Sequence, residues 1–199
     1  ACTTWLAAAA NRGAAPAQIE RHQARIEIAR GDDSLLGAAR ARLSTLLDAD
    51  RKDLEARLLL AKLLLRLDAD EAKSVLRVGL RLTPRNKEAR LHYMLAKVEK
   101  RKRKARAAAG MAFRAFRAMI RERRPPSEVF DVANFTRDMW LEIGQTKGAR
   151  TIGRDLTEYA PYHPEAWVLR GRIQLAADYP DWALESAQKA VELDPQYPS

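Results

Sequence analysis

The sequence predicts an all-α fold, a solenoid of about five antiparallel helix pairs. An alanine near the start of a helix-like segment recurs at intervals of 33, 36, 41 and 34 residues, and a compact apolar residue follows seven positions later. Small residues are needed where two helices cross closely, so a period in the thirties indicates stacked helix pairs. The alanines are Ala39, Ala72, Ala108, Ala149 and Ala183, and the residues that follow them are Leu46, Gly79, Ala115, Leu156 and Ala190.

The composition agrees with this fold class. Aromatic residues make up only 7% of the chain, and alanine is abundant, which suits helices packed closely over small side chains. No convincing run of alternating apolar and polar residues is bounded by turn residues, so we expect no sheet.

The last unit shows its elements most clearly, from Pro164 to Pro195. Its first helix is predicted to run from Pro164 to about Ala177, and residues 179–181 form a turn. The second helix then ends before Pro195, because proline cannot continue a helix and pushes the preceding residue toward extended geometry.

This unit resembles the tetratricopeptide repeat, whose pattern is W-x2-L-G-x2-Y followed by spaced Ala, Phe, Ala and Pro. Arg170, Gln174 and Ala187 depart from that pattern. The resemblance implies a right-handed superhelical array and a scaffold for protein–protein interaction. The matching residues are Trp167, Gly171, Ala183, Ala190 and Pro195, and the second unit aligns through Ala61, Ala72, Gly79 and Pro84.

The remaining units are degenerate. The third has a register that is ambiguous by two residues, and Ala96 is preferred at the small position because Ala108 and Ala115 then fall correctly. The fourth contains Ala149, and Ser127 is predicted to cap its first helix. The predicted organisation is a leader over 1–16, disordered or a frayed helix, and a single array over 17–199 with units at about 17–50, 53–85, 86–122, 127–161 and 164–197.

Several functional classes find no support in the residues. One cysteine and three scattered histidines make structural zinc improbable, and no motif for a cofactor, a catalytic nucleophile or a phosphate loop is present. We therefore expect no metal, no cofactor and no enzyme activity.

No stretch reaches the roughly 18 apolar residues of a membrane span. The localisation stays open between the cytoplasm and a membrane, since Ala1-Cys2 also fits a lipidated cysteine.

The net charge of +10 is concentrated in one part of the chain. Residues 100–124 contain eleven Lys or Arg and one acid, Glu122, and so carry the whole imbalance. Three interpretations compete: a solvated helix face, a contact for an acidic protein, and a surface for nucleic acid or anionic lipid. The candidate residues of this basic patch are Lys100, Arg101, Lys102, Arg103, Lys104, Arg106, Arg114 and Arg117.

The resemblance also implies a concave groove lined by the first helix of each pair. Cations at its repeat positions would favour an acidic peptide or a chain-terminal carboxylate, and solvated cations in an empty groove are the alternative. The full carboxylate-holding set of the family's best-known peptide binders is not present. The candidate groove residues are Lys62, Arg66, Lys97, Arg101, Asn134 and Arg172, with Asp138 at the equivalent position in the fourth unit.

Three functional hypotheses follow. The first is a non-enzymatic scaffold that holds a protein or peptide, and the second is an accessory domain of a larger enzyme or membrane-anchored assembly. The third is a binder of phosphate-rich surfaces through residues 100–124. No capping helix is expected after Pro195, so Leu184, Ala187 and Val191 should present an apolar strip through which the chain could self-associate.

Overall fold

The computed structural model describes residues 15–197, and over that range it contains ten α-helices and no strand. The all-α prediction is confirmed. The predicted leader lies almost wholly outside the described residues. The helices are α1 (Pro16–Arg30), α2 (Asp33–Ala49), α3 (Leu54–Leu67), α4 (Ala69–Leu82), α5 (Ala89–Arg101), α6 (Ala105–Arg121), α7 (Pro126–Glu142), α8 (Thr146–Tyr159), α9 (Pro164–Ala176) and α10 (Pro180–Leu193), with a short 3-10 helix at Arg85–Lys87.

The helices fall into two compact units. The first ends at Arg85 and contains α1 to α4, and the second begins at Asn86 and contains α5 to α10. In each unit every helix packs against the next one along the chain, and α1 also contacts α3 as α7 contacts α9. This pattern of neighbouring contacts is typical of helical repeats, in which each pair buries its apolar faces against adjacent pairs.

The recurring small residues lie where the helices cross. Ala39, Ala72, Ala108 and Ala149 have no exposed surface. Ala183 differs from them because it is only half-buried. Gly171 is buried at the crossing of α9 and α10, where an added Cβ would meet the carbonyl oxygen of Ala183 at 3.2 Å. The period in the sequence thus reflects close backbone approach.

Larger side chains fill the space between these crossings. In the second unit Phe116, Val129, Ile152 and Leu169 belong to one buried cluster. In the first unit the buried glutamate Glu27 accepts hydrogen bonds from Arg42, whose pKa is raised chiefly by its hydrogen bond with Glu20. A buried carboxylate needs such partners because desolvation of an unpaired charge is costly.

Four turns of the second unit repeat one backbone motif. The second residue after the end of the helix has a positive φ, at Arg103, Arg123, Gly144 and Asp178. The next amide donates back five residues: Lys104 to Glu99, Arg124 to Met119, Gln145 to Trp140 and Tyr179 to Gln174, at 2.8–3.1 Å. These are Schellman caps, which satisfy carbonyl groups that the helix leaves without partners.

The predicted cap at Ser127 was wrong. Helix α7 begins one residue earlier, at Pro126, and Pro125 occupies the cap position without a side-chain hydrogen bond. Proline suits the first helical position because its fixed φ is already helical and its missing N–H would have had no partner there.

The crossing at Gly171 makes a stability prediction. Replacing Gly171 with Leu should lower the free energy of unfolding by about 1–3 kcal/mol, because the side chain must displace the α10 backbone. Thermal and urea unfolding measure the change.

Gly110→Ala in α6 is the control. No atom lies within 4 Å of a Cβ built there, so the better helix former should raise stability by roughly 0.5–1 kcal/mol. Equal unfolding midpoints for the two variants would contradict the close crossing.

Candidate interaction surface

The first helices of the pairs in the second unit meet through aromatic side chains. The rings of Tyr93 on α5 and Phe135 on α7 lie edge to face, with centroids 5.5 Å apart and planes at 83°. Such a geometry is favourable because the positive ring edge meets the negative ring face. Their contact holds α5 against α7. Both rings remain partly exposed, so they also form part of the surface.

Two lysines of α5 lie over this aromatic pair. The Lys97 ammonium is 4.1 Å from the Tyr93 ring centroid, and the Lys100 ammonium is 5.2 Å from the Phe135 ring centroid. Cation–π attraction of this kind contributes about 0.5–1 kcal/mol at exposed sites. We name Tyr93, Lys97, Lys100 and Phe135 the α5/α7 surface.

Acidic side chains lie on the other side of this surface. Burial raises the pKa of Tyr93, and the negative charge of Asp131 raises it further. Glu165, at the start of α9, also has a raised pKa because of its burial and the charge of Asp131, with His163 acting in the opposite direction. Negative charge on α7 therefore acts on the aromatic pair beside the lysines of α5, with Glu165 of α9 near Asp131, so cations alone do not surround this surface.

Asn134 and its neighbours on α7 hydrogen-bond to one another. The Asn134 Nδ2 donates to the Phe130 carbonyl at 3.1 Å, and its Oδ1 accepts from Arg137 at 2.9 Å. Arg137 also donates to Asp138 at 2.7 Å. The predicted groove residue Asn134 is therefore engaged within its own helix at both ends of its amide.

The other predicted groove cations lie in different places. Lys62 is exposed on α3, and the Arg66 guanidinium donates to the Ile28 carbonyl of α1 at 3.4 Å, both in the first unit. In the second unit Arg101 is exposed in the last turn of α5, whereas Arg172 lines a groove between α9 and α10. Of the six residues, the α5/α7 surface includes only Lys97.

The basic patch is mostly exposed and extends from the end of α5 along α6. Lys102 is half-buried, and Arg117 forms an ion pair with Asp155 at 2.9 Å. The phenylalanines between these arginines do not serve as a platform for bases, since Phe116 is fully buried and Phe113 packs against the Trp140 ring at 6.2 Å. The exposed members are Lys100, Arg101, Arg103, Lys104, Arg106, Arg114 and Arg117.

An apolar groove lies between α9 and α10. Leu184 is 60% exposed and Val191 is 48% exposed, and Ala187 between them is exposed too. Counted from the recurring alanine, the equivalent residues of α6 are Ala109, Ala112 and Phe116, and these are fully buried. The same kind of helix face is thus covered in α6 and open to solvent in α10.

Residues 15–197 contain no cluster of three or more metal-ligating side chains, and no helix in that range is long and apolar enough to cross a membrane.

Comparison with known proteins identifies the fold. No protein-family model and no curated protein matches the chain. Among solved structures it resembles MamA, with 18% identity over 90% of this chain and 92% of that chain and a TM-score of 0.61. It resembles YrrB, described as a TPR protein with an unusual peptide-binding site, with 19% identity over 96% and 93% of the two chains and a TM-score of 0.56.

A third structure contains the TPR-like repeats of a kinesin light chain from Podosopora anserina. It has 12% identity over 92% of this chain and 99% of that chain, with a TM-score of 0.63. The chain has the tetratricopeptide-repeat fold. The five unit boundaries and the site residues stay predictions.

No binding role for Tyr93 or Phe135 was predicted from the sequence. One signal was available: Tyr93 and Lys97 are four residues apart, a spacing that places two side chains on one face of a helix. The contact between Tyr93 and Phe135 joins residues 42 positions apart, and no local pattern reveals it.

Proposed function

We propose that this chain is a non-enzymatic scaffold that holds an acidic peptide segment of a partner protein on the α5/α7 surface. The observation that carries the proposal is the Tyr93–Phe135 pair with an ammonium group over each ring. Partly exposed aromatic rings offer a large contact area at a low cost in side-chain entropy. The lysines add attraction for carboxylates and steer their approach.

The charge gradient gives the peptide an orientation. Its acidic residues lie against Lys97 and Lys100 on α5, and its neutral or basic residues lie toward Asp131 and Glu165. The resemblance to YrrB supports peptide binding as a function of this fold, although the likeness in sequence is low. An accessory role within a larger assembly is compatible with the same contact, since a scaffold recruits through its surface.

Charge reversal of the lysines tests this proposal. Lys97→Glu with Lys100→Glu should weaken the binding of fluorescein-labelled decaglutamate, followed by anisotropy, about tenfold or more, a loss of roughly 1.4 kcal/mol or more. Lys52→Glu with Arg25→Glu is the matched control, because it reverses two charges at exposed positions of the first unit. Circular dichroism of each variant verifies that helical content is retained.

If the control substitutions weakened decaglutamate binding as much as the α5 substitutions, net charge alone would explain the effect, and the proposal would be contradicted. Binding of a 20-nucleotide oligothymidylate in place of decaglutamate would favour the phosphate hypothesis. That outcome requires a steep loss of affinity with salt and a dependence on Arg106 and Arg114 of the basic patch.

We also propose that two copies associate through the α9/α10 groove. Gly171, Ala183 and Ala187 form a hollow beside the exposed side chains of Leu184 and Val191. A two-fold contact is self-complementary, so Leu184 of each copy fills the hollow of the other. Such a face is compatible with close helix packing, because the equivalent residues of α6 are buried: Ala109, Ala112 and Phe116.

Sedimentation equilibrium measures this association. The wild-type chain should show a concentration-dependent dimer, and Leu184→Glu should shift it to monomer because a buried charge without a partner is costly. Gln188→Glu is the control, since Gln188 is exposed on α10 and does not line the groove. A strictly monomeric wild type at the highest soluble concentration would overturn the dimer.

A further inference from the structure

A second surface, built mainly from the other helices of the pairs, forms an open cavity of about 370 Å³. Helix α8 contributes most of its cations, α9 contributes Arg170, and α10 contributes Trp182. The residues that line it are Lys147, Arg150, Thr151, Gly153, Arg154, Arg170, Ile173, Gln174 and Trp182, and none of them is acidic.

Trp182 is the aromatic side chain of the lining, and it stacks on Tyr179 beside the cavity. The rings of Tyr179 and Trp182 are parallel, with centroids 4.7 Å apart and planes at 11°. They are 38% and 44% exposed, which is unusual for residues of this size. The Arg150 guanidinium lies 4.6 Å from the Tyr179 centroid and 5.3 Å from the Trp182 centroid. Arginine, tryptophan and tyrosine are the residue types most enriched at binding hot spots.

The sequence brings the cations together through a glycine. Gly153 lies in the middle of α8, where an added Cβ would meet the Arg170 Cα at 3.3 Å. Its lack of a side chain lets the α9 backbone approach α8, so that Arg170 reaches the same cavity as Arg150 and Arg154. The Arg170 guanidinium is oriented by a 3.2 Å hydrogen bond to the Thr157 hydroxyl.

The positive charge of the cavity is only partly neutralised. Arg154 pairs with Asp155 at 3.0 Å and approaches Glu158 at 3.8 Å. Within residues 15–197, by contrast, Lys147, Arg150 and Arg170 make no ion pair with an acidic side chain. The Gln174 Oε1 accepts a hydrogen bond from the Ser186 hydroxyl, and the amide N–H groups of Gln174 remain as donors. The cavity therefore offers several donors, and none of its lining side chains is a carboxylate acceptor.

We propose that this cavity binds one or two oxyanion groups, carboxylate or phosphate, carried by a peptide of a partner protein. Guanidinium groups recognise both kinds of oxyanion by paired hydrogen bonds. The Trp182 ring accepts an apolar or ring-bearing side chain next to the anion. The exposed acids Glu158, Asp178 and Asp181 lie on the same helices or the turn between them, outside the cavity lining. These acids on the neighbouring surface disfavour a long polyphosphate strand, which would extend beyond the cavity, more than a short anionic segment.

Trp182 is the reporter for the test. We would titrate the full chain with acetyl-Gly-Glu-Gly-Glu-Gly-amide, with the same peptide carrying phosphoserine in place of glutamate, and with inorganic phosphate. Tryptophan emission and calorimetry would be recorded. Saturable binding of at least one peptide is expected, with an emission change that disappears in Trp182→Phe while the calorimetric heat remains. Tighter binding of the phosphoserine peptide assigns the anion to phosphate, and equal binding assigns it to either oxyanion.

Substitution of Arg150 locates the site. Arg150→Gln should weaken peptide binding about tenfold or more, a loss of roughly 1.4 kcal/mol or more. Arg25→Gln, an equal loss of charge at an exposed position on α1, should change it less than twofold. The Lys97→Glu, Lys100→Glu variant should keep the emission change of Trp182 at the same peptide concentration, so a failure of the α5/α7 surface is distinguished from a failure here.

Three results would overturn the proposal. The first is no binding of either peptide, and the second is the same weakening by Arg150→Gln and Arg25→Gln. The third is inorganic phosphate or oligothymidylate binding as tightly as the peptides with the same dependence on Arg150, which would leave the peptide without a role.

Discussion

Close backbone approach at small residues is the constraint on which the rest of this structure depends. Where a helix crosses its neighbour over Gly171 or over a fully buried alanine such as Ala72 or Ala149, a larger side chain would separate the two backbones. Close crossings place apolar side chains such as Phe116 and Ile152 within one packed cluster. Because each helix packs mainly against its neighbours in sequence, local crossings rather than a single central core determine the fold.

The same constraint decides which surfaces remain for binding. Except in α10, the faces that carry the recurring small residues are covered by packing, and long charged and aromatic side chains lie on other faces. On α5 and α7 these are Tyr93, Phe135 and two lysines, and on α8 and α10 they are Arg150 and the Tyr179–Trp182 stack. Each surface combines an aromatic pair with cations that lie over its rings, a composition suited to anionic protein segments.

The sequence predicted the fold class well because the crossings recur at a regular period and are local features. It located individual groove residues less well, for a physical reason. Lys97 and Lys100 could be placed on a helix, but Phe135, the aromatic partner of Lys100, belongs to the next pair. Arg172 was placed by repeat position, and the structure puts it beside the groove between α9 and α10. The acids Asp131 and Glu165, which add negative charge near this surface, lie on different helices, and no period in the sequence predicts their interaction.

The central claim is that binding occurs on the faces that helix packing leaves free, with the α5/α7 surface foremost. The most direct measurement is a titration of the isotope-labelled full chain with decaglutamate, followed by amide and side-chain chemical shifts. The account predicts that the largest changes occur at Tyr93, Lys97, Lys100 and Phe135, with smaller changes around Arg150. Changes concentrated along α6, at Arg106 and Arg114, with the α5/α7 surface unaffected, would contradict it.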